Sequence, residues 1–277
     1  MFSNAIPLAN GDIFVTFDKS VGVFRNGEYR ELKGLKRPCR VLRSACAAAA
    51  DGTLYFGEYL NNPDRGEMRV YSHTPGTDSL ETAYVFPAGT IRHIHGVYAD
   101  PYSGDLFCLT GDEANECRIL RTSDVFATTD VVGCGDETWR AVSISFTEEA
   151  FYYGTDAEFR ENEIYRVERS SGERRSLGKV SGTVFYSRQL GDHLIFGTTA
   201  EAAPSQKHNV AAIYSVGPDD ELTELRRFEK DRWHKTLFQL GTIAFANGPA
   251  LAPELFFSTV AVNPDAAQWS LKADLQK

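Results

Sequence analysis

Two histidines stand two residues apart in Arg92-His93-Ile94-His95-Gly96. Side chains alternate along a strand, so both imidazoles fall on one side of it. That spacing permits shared proton transfer or joint coordination of a metal ion. The sequence calls for no cofactor; a divalent metal at His93/His95 is the one its spacing would allow. Three carboxylates, Glu58, Asp112 and Asp156, each follow an apolar or aromatic run, and Glu201 holds the corresponding place further on. Two carboxylates facing each other across a cleft would equip a glycoside hydrolase, one as acid and one as base or nucleophile. His93 or His95 as base, with Tyr186 and Arg140, would equip a polysaccharide lyase. Such an enzyme takes the proton beside a uronate carboxylate while a cation neutralises the acid.

Cations, amides and aromatics accompany these groups: Arg43, Arg65, Arg92, Arg140 and Arg188, with Asn62, His208, Gln239 and Trp139. An aromatic ring stacks on a sugar face, and amides read hydroxyls. Guanidinium groups bind planar carboxylates or sulfates through paired hydrogen bonds. The expected ligand is therefore an acidic oligosaccharide or sugar acid, with its glycosidic bond cleaved by hydrolysis or elimination. Each residue also has a plainer use. A carboxylate after a strand accepts hydrogen bonds from loop amides, paired strand histidines pack, Trp139 suits a core, and Asn61 to Gly66 reads as turn chemistry. The competing expectation is a non-catalytic glycan-binding or protein-interaction scaffold.

These residues need elements to hold them. Six segments share one pattern, a turn followed by an apolar or aromatic run. They are Gly11 to Phe17, Asp51 to Tyr59, Ser103 to Asp112, Glu148 to Asp156, Gly191 to Thr199 and Ala252 to Val260. Each is dense in residues that suit a pleated surface. They recur roughly 40–60 residues apart, close to the period of propeller blades. A shorter apolar run precedes five of them, and two more runs follow most. Four antiparallel strands per unit predict an all-β, six-bladed β-propeller, one domain over residues 1–277, with its site at a central channel. The last unit supplies only Phe238 to Ala246, Glu254 to Val262 and Gln268 to Asp274, so a strand near Ala5 to Leu8 is expected to help close the ring.

Turns between the expected third and fourth strands include Arg121-Thr122-Ser123-Asp124 and Arg169-Ser170-Ser171-Gly172-Glu173. Tyr71 to Asp78 and Tyr214 to Glu221 occupy the same place. They resemble degenerate Asp-box hairpins of the sialidase-like, BNR-repeat propellers, without a closing tryptophan. The resemblance implies a propeller that binds or processes glycans. The Arg-Ile-Pro motif of the sialidases has no counterpart, Leu35 to Arg40 being the nearest string, so the resemblance carries over the fold and no catalytic residue.

The chain has 277 residues, 42% of them hydrophobic, and a formal charge of −9. That balance argues against nucleic acid, which needs concentrated Lys and Arg. No window approaches the length of a membrane span. The five cysteines form no Cys-x-x-Cys pair, so neither a disulfide framework nor a zinc knuckle is indicated. A cytoplasmic setting is expected, or a secreted one after loss of a signal peptide.

Overall fold

A computed structural model describes residues 2–246 and 253–272. The fold is an all-β six-bladed propeller of antiparallel sheets, each built from strands consecutive in sequence. The first sheet holds β1 (Phe2–Pro7), β2 (Ile13–Phe17), β3 (Ser20–Arg25) and β4 (Glu28–Glu31). The second holds β5 (Cys46–Ala48), β6 (Leu54–Gly57), β7 (Met68–His73) and β8 (Glu81–Phe86). The third holds β9 (His93–Ala99), β10 (Leu106–Gly111), β11 (Arg118–Thr122) and β12 (Asp130–Cys134). The fourth holds β13 (Ala141–Phe146), β14 (Ala150–Thr155), β15 (Asn162–Glu168) and β16 (Arg174–Val180). The fifth holds β17 (Val184–Leu190), β18 (His193–Thr198), β19 (Val210–Val216) and β20 (Leu222–Glu229). The sixth shows three strands among the described residues, β21 (Thr242–Phe245), β22 (Glu254–Val260) and β23 (Gln268–Lys272).

All six repeating segments of the sequence become the second strand of a sheet. Their composition fits that place: β6, β10 and β14 are buried at every residue, as expected of strands covered on both faces. Fourth strands β4, β16 and β20 are rich in charge and largely exposed, as in Glu28-Tyr29-Arg30-Glu31, which discourages pairing with another chain. The resembling turns lie between third and fourth strands. In one of them Asp124 accepts hydrogen bonds from the Thr128 amide and hydroxyl at 2.8 and 2.7 Å.

Two expectations are corrected. No strand passes between the ends of the chain among the described residues: β1 pairs with β2, and the opening sheet completes itself through β3 and β4. The turn joining β3 to β4 is Asn26-Gly27, with φ of 54° and 81°, the two-residue loop whose twist matches paired strands. The strand expected from Phe238 begins only at Thr242, so Gln239 precedes it in irregular chain. Ala252 and the last two residues of the run expected to end at Asp274 lie outside the described residues.

The chain divides into two compact units, residues 1–140 and 141–277. The first contains two buried clusters, one around Phe14, Phe56 and Tyr71 and one around Met68, Ile91, Ile94 and Leu106. The second also contains two, around Tyr152, Ile164 and Phe196 and around Ile213, Phe245 and Phe257. Among the described residues no helix is long and apolar enough to cross a membrane.

Candidate functional site

The first unit brings five of the expected residues together where β9 begins and β10 ends. His93 pairs in register with Gly111, the last residue of β10, and Asp112 follows at once. The register slips here: Thr110 faces Ile94 while Leu109 faces Gly96, leaving His95 as the extra residue of a bulge. Bulges re-aim a side chain. His93 Nε2 lies 3.2 Å from His95 Nε2 and 3.2 Å from Asp112 Oδ1, and His95 Nε2 lies 3.5 Å from that same oxygen. Both imidazoles are buried.

Two arginines complete the cluster. Arg92 donates from Nη1 to Asp112 Oδ2 at 3.1 Å and from Nη2 to Asn61 Oδ1 at 3.0 Å. Arg140 Nη2 lies 3.3 Å from Asp112 Oδ1, and its Nη1 donates to the Asp112 carbonyl. Glycine at 111 eases this closure, because a Cβ there would stand 3.0 Å from His95 and 3.1 Å from Arg140 and oblige one of them to give slightly. Burial opposes ionisation of Asp112. Hydrogen bonds from His93 and His95 and the nearby charge of Arg140 outweigh it and hold the carboxyl well below its usual range. These surroundings favour the anionic form of Asp112.

Neighbouring loops brace this corner. Arg65 donates to Glu116 at 2.6 Å and to Glu113 at 2.7 Å, tying the loop after β6 to the 3-10 turn Ala114–Glu116. Glu116 in turn accepts the Arg92 amide at 3.1 Å. Asn62 uses its amide on Gly66, donating to the carbonyl and accepting the N–H, both at 2.9 Å. Arg65 and Asn62 thus position the loop beneath Arg92.

A cavity of about 560 Å³ opens beside the cluster, lined by Lys19, Arg40, Tyr59, Asn61, Arg92 and His93 among others. The Tyr59 ring packs on His93, with centroids 4.3 Å apart. A second hollow of about 570 Å³ shares Lys19 with it and adds Lys33, Lys36, Arg37 and Glu31. Together they form a trough with six basic residues and one carboxylate, on a chain whose net charge is −9.

Glu58 has a different place. It is fully buried, accepts from Arg37 at 2.8 Å, the Arg69 amide at 2.9 Å and the Tyr71 hydroxyl at 2.9 Å, and is committed to the interior of its sheet. Arg43 is half-buried before β5. Trp139 packs on β12, where a Cβ at Gly133 would fall 2.2 Å from its ring. In the second unit Asp156 is buried after β14, and Tyr186 packs against the cluster around Phe245. Arg188 donates to the Ala246 carbonyl at 3.1 Å, while His208 and Gln239 are exposed.

Sequence reasoning missed Lys19 and Arg40 as lining residues, and Lys33, Lys36 and Arg37 beside them. A signal was present: Leu32 to Arg40 places four cations in nine residues of an acidic chain. All five thiols are unpaired. Burial, followed by the charge of Glu58, pushes the Cys39 thiol beneath the trough up to about 12.

No family model matches the chain, and no curated protein matches it. Solved structures do. A chain of a nidogen/laminin complex superposes with a TM-score of 0.58 at 10% identity, over 96% of this chain and 90% of that one. A TolB-designated protein from Agrobacterium tumefaciens superposes with a TM-score of 0.57 at 8% identity, over 83% and 82%. A prolyl endopeptidase gives 0.63 at 10% identity, over all of this chain but only 41% of its own. At such identities the likeness is one of fold alone.

Proposed function

We propose that this chain takes an acidic oligosaccharide or sugar acid into the trough of its first unit and cleaves the glycosidic bond there. The observation that carries this reading is the concentration of Lys19, Lys33, Lys36, Arg37, Arg40 and Arg92 around adjoining hollows that end at His93. Guanidinium and ammonium groups pair with carboxylate or sulfate. Two joined hollows suit several sugar units better than one. Tyr59 offers a ring edge and a hydroxyl, and Asn61 an amide, for sugar hydroxyls.

Elimination is the better-supported route. It needs a cation on the sugar carboxylate and a base beside it. Arg92, Arg40 and Lys19 supply the cation, and His93 or the Tyr59 phenol the base. The base takes the proton on the carbon next to the carboxylate, that electron pair forms a carbon–carbon double bond, and the glycosidic oxygen leaves with a proton. Hydrolysis by two carboxylates is weaker, because it needs one carboxyl protonated. Glu58 is engaged on both oxygens, and Asp112 is held as an anion. The likeness of the hairpin turns to those of sialidase-like propellers supports a glycan ligand in the same sense.

A panel of uronate, sialylated and sulfated oligosaccharides, with neutral ones beside them, tests this reading. The expected result is a rise in melting temperature with acidic members only, and ultraviolet absorbance from an unsaturated product with uronates. New reducing ends without that absorbance would move the reaction to hydrolysis. Stabilisation without any product would leave a glycan-binding scaffold. A panel in which no acidic member stabilises the protein or is consumed sinks the reading.

A further inference from the structure

We propose that His93, His95 and Asp112 form a three-ligand site for one divalent transition-metal ion, with zinc as its reference ion and a coordination position left open. Three atoms converge with separations of 3.2, 3.2 and 3.5 Å: Asp112 Oδ1 and the Nε2 of each histidine, which offers a lone pair when the ring proton sits on Nδ1 or is displaced by the ion. One donor atom from each of the three residues lies within 4.8 Å of the other two. Tetrahedral bonds of about 2.0–2.1 Å from zinc to nitrogen or oxygen place ligand atoms about 3.3–3.4 Å apart. The observed triangle has that size. An ion at bonding distance from all three corners sits just out of their plane and keeps a free position.

The donor set selects the ion. Two imidazoles and one carboxylate suit zinc, iron, cobalt or nickel; calcium and magnesium prefer all-oxygen cages. Hydrogen bonds alone explain the trio poorly. His93 Nε2 carries at most one proton, yet two acceptor atoms stand 3.2 Å away. The surroundings resemble the outer layer of a metal site. Arg92 takes Oδ2, which leaves Oδ1 to the ion, and Arg140, 3.3 Å from Oδ1, uses that oxygen's second lone pair. Such outer partners fix a ligating carboxylate. An ion among two arginines leaves a net positive charge at the open position, which then demands an anion. His93 also lines the trough, so that anion would arrive from the proposed saccharide cleft. With His93 engaged, Tyr59 remains as the base.

The test uses metal alone, so its failure and the failure of the saccharide reading are separable. The full chain is stripped with chelator, loaded with Zn²⁺, passed through desalting and assayed for bound metal. About one zinc ion per chain is expected for the parent protein and for Cys134→Ser, which removes the exposed thiol. His95→Gln and Asp112→Asn should retain less than about a tenth of that, with folding checked by near-ultraviolet circular dichroism. Cobalt loading needs no variant: visible bands of a nitrogen- and oxygen-ligated ion are expected without thiolate charge transfer. Zinc retained by both folded variants, a thiolate-type cobalt spectrum, or no stoichiometric metal in the parent protein would overturn the assignment.

Discussion

β6 and β10 end alike, each in a glycine followed by a carboxylate, Gly57-Glu58 and Gly111-Asp112. The two corners have opposite fates. Glu58 meets a tyrosine hydroxyl and a backbone amide of its own sheet and one arginine, Arg37, from the segment before β5, and Ile94 covers Gly57 so closely that a Cβ would stand 2.3 Å from it. Asp112 meets two histidines and two arginines beside a cationic trough. A third corner, Gly154-Thr155-Asp156 in the other unit, has Ala141 in the register place nearest that of His93. The repeat therefore supplies a standard corner, and the cluster at Asp112 forms where the opposing strand begins with histidine instead of alanine. A buried carboxylate at the end of a second strand is no sign of function until its partners are known.

The sharpest way to break this contrast is to remove Glu58. Taking away one partner of a buried ion pair costs about 3–5 kcal/mol, because the other charge and its hydrogen-bond donors are left unpaired. Glu58→Ala should lower unfolding free energy by that order in urea titration while the folded fraction still binds zinc. A loss under 1 kcal/mol would mean that Glu58 is not the internal strut described above.

Arg92→Ala comes next and should act the other way round. A hydrogen bond to a charged group contributes about 1.5–3 kcal/mol, so affinity for an acidic oligosaccharide should fall roughly 10- to 100-fold. The readout is isothermal titration with the best ligand of the panel. Unchanged affinity would detach the trough from the cluster and move the ligand elsewhere.

The corners themselves were legible in sequence, and their fates were not. The blade period located every second strand, because aromatic and β-branched runs recur with it. The first sheet's β3 and β4 lie outside the aromatic runs of the repeat, and the Asn-Gly turn in Arg25-Asn26-Gly27-Glu28 marks their hairpin. The spacing of His93 and His95 showed that two imidazoles share a face, but not the bulge that turns both toward Asp112. Glu58 and Asp112 looked equivalent because the groups that separate them come from far along the chain. Tyr71 and Arg37 stand 13 and 21 residues from Glu58, and Arg140 stands 28 from Asp112. Local pattern finds elements; the charge environment of a side chain is set by what the fold brings to it.

The glycines sharpen the comparison at lower cost. A methyl at Gly57 would meet the branched body of Ile94, and overpacking of that kind costs about 1–3 kcal/mol. At Gly111 it would meet the His95 ring edge and the Arg140 chain at 3.0–3.1 Å, which a few tenths of an ångström of movement relieves. Gly57→Ala should therefore lower melting temperature more than Gly111→Ala. Gly111→Ala should instead weaken zinc retention, by about 0.5–1.5 kcal/mol if His95 is pushed off its preferred rotamer. The reverse ranking would show that the two corners are packed alike.

The smallest effect belongs to Glu161, an acid in the loop after β14 that supplies the exposed limit. Hydrogen bonds from Lys179 and Lys207, opposed by slight desolvation and aided by both charges, lower its carboxyl to about 2. A carboxyl depressed in the folded state stabilises above its unfolded value near 4.5, and that stabilisation is lost as pH falls through about 2. Its side chain and both lysines are exposed, so water and salt screen the attraction. Glu161→Gln should shift melting temperature only slightly at pH 7 in low salt, less in high salt, and not at all below pH 2. A shift rivalling that of Glu58→Ala would mean that burial is not what separates the structural carboxylate from the others.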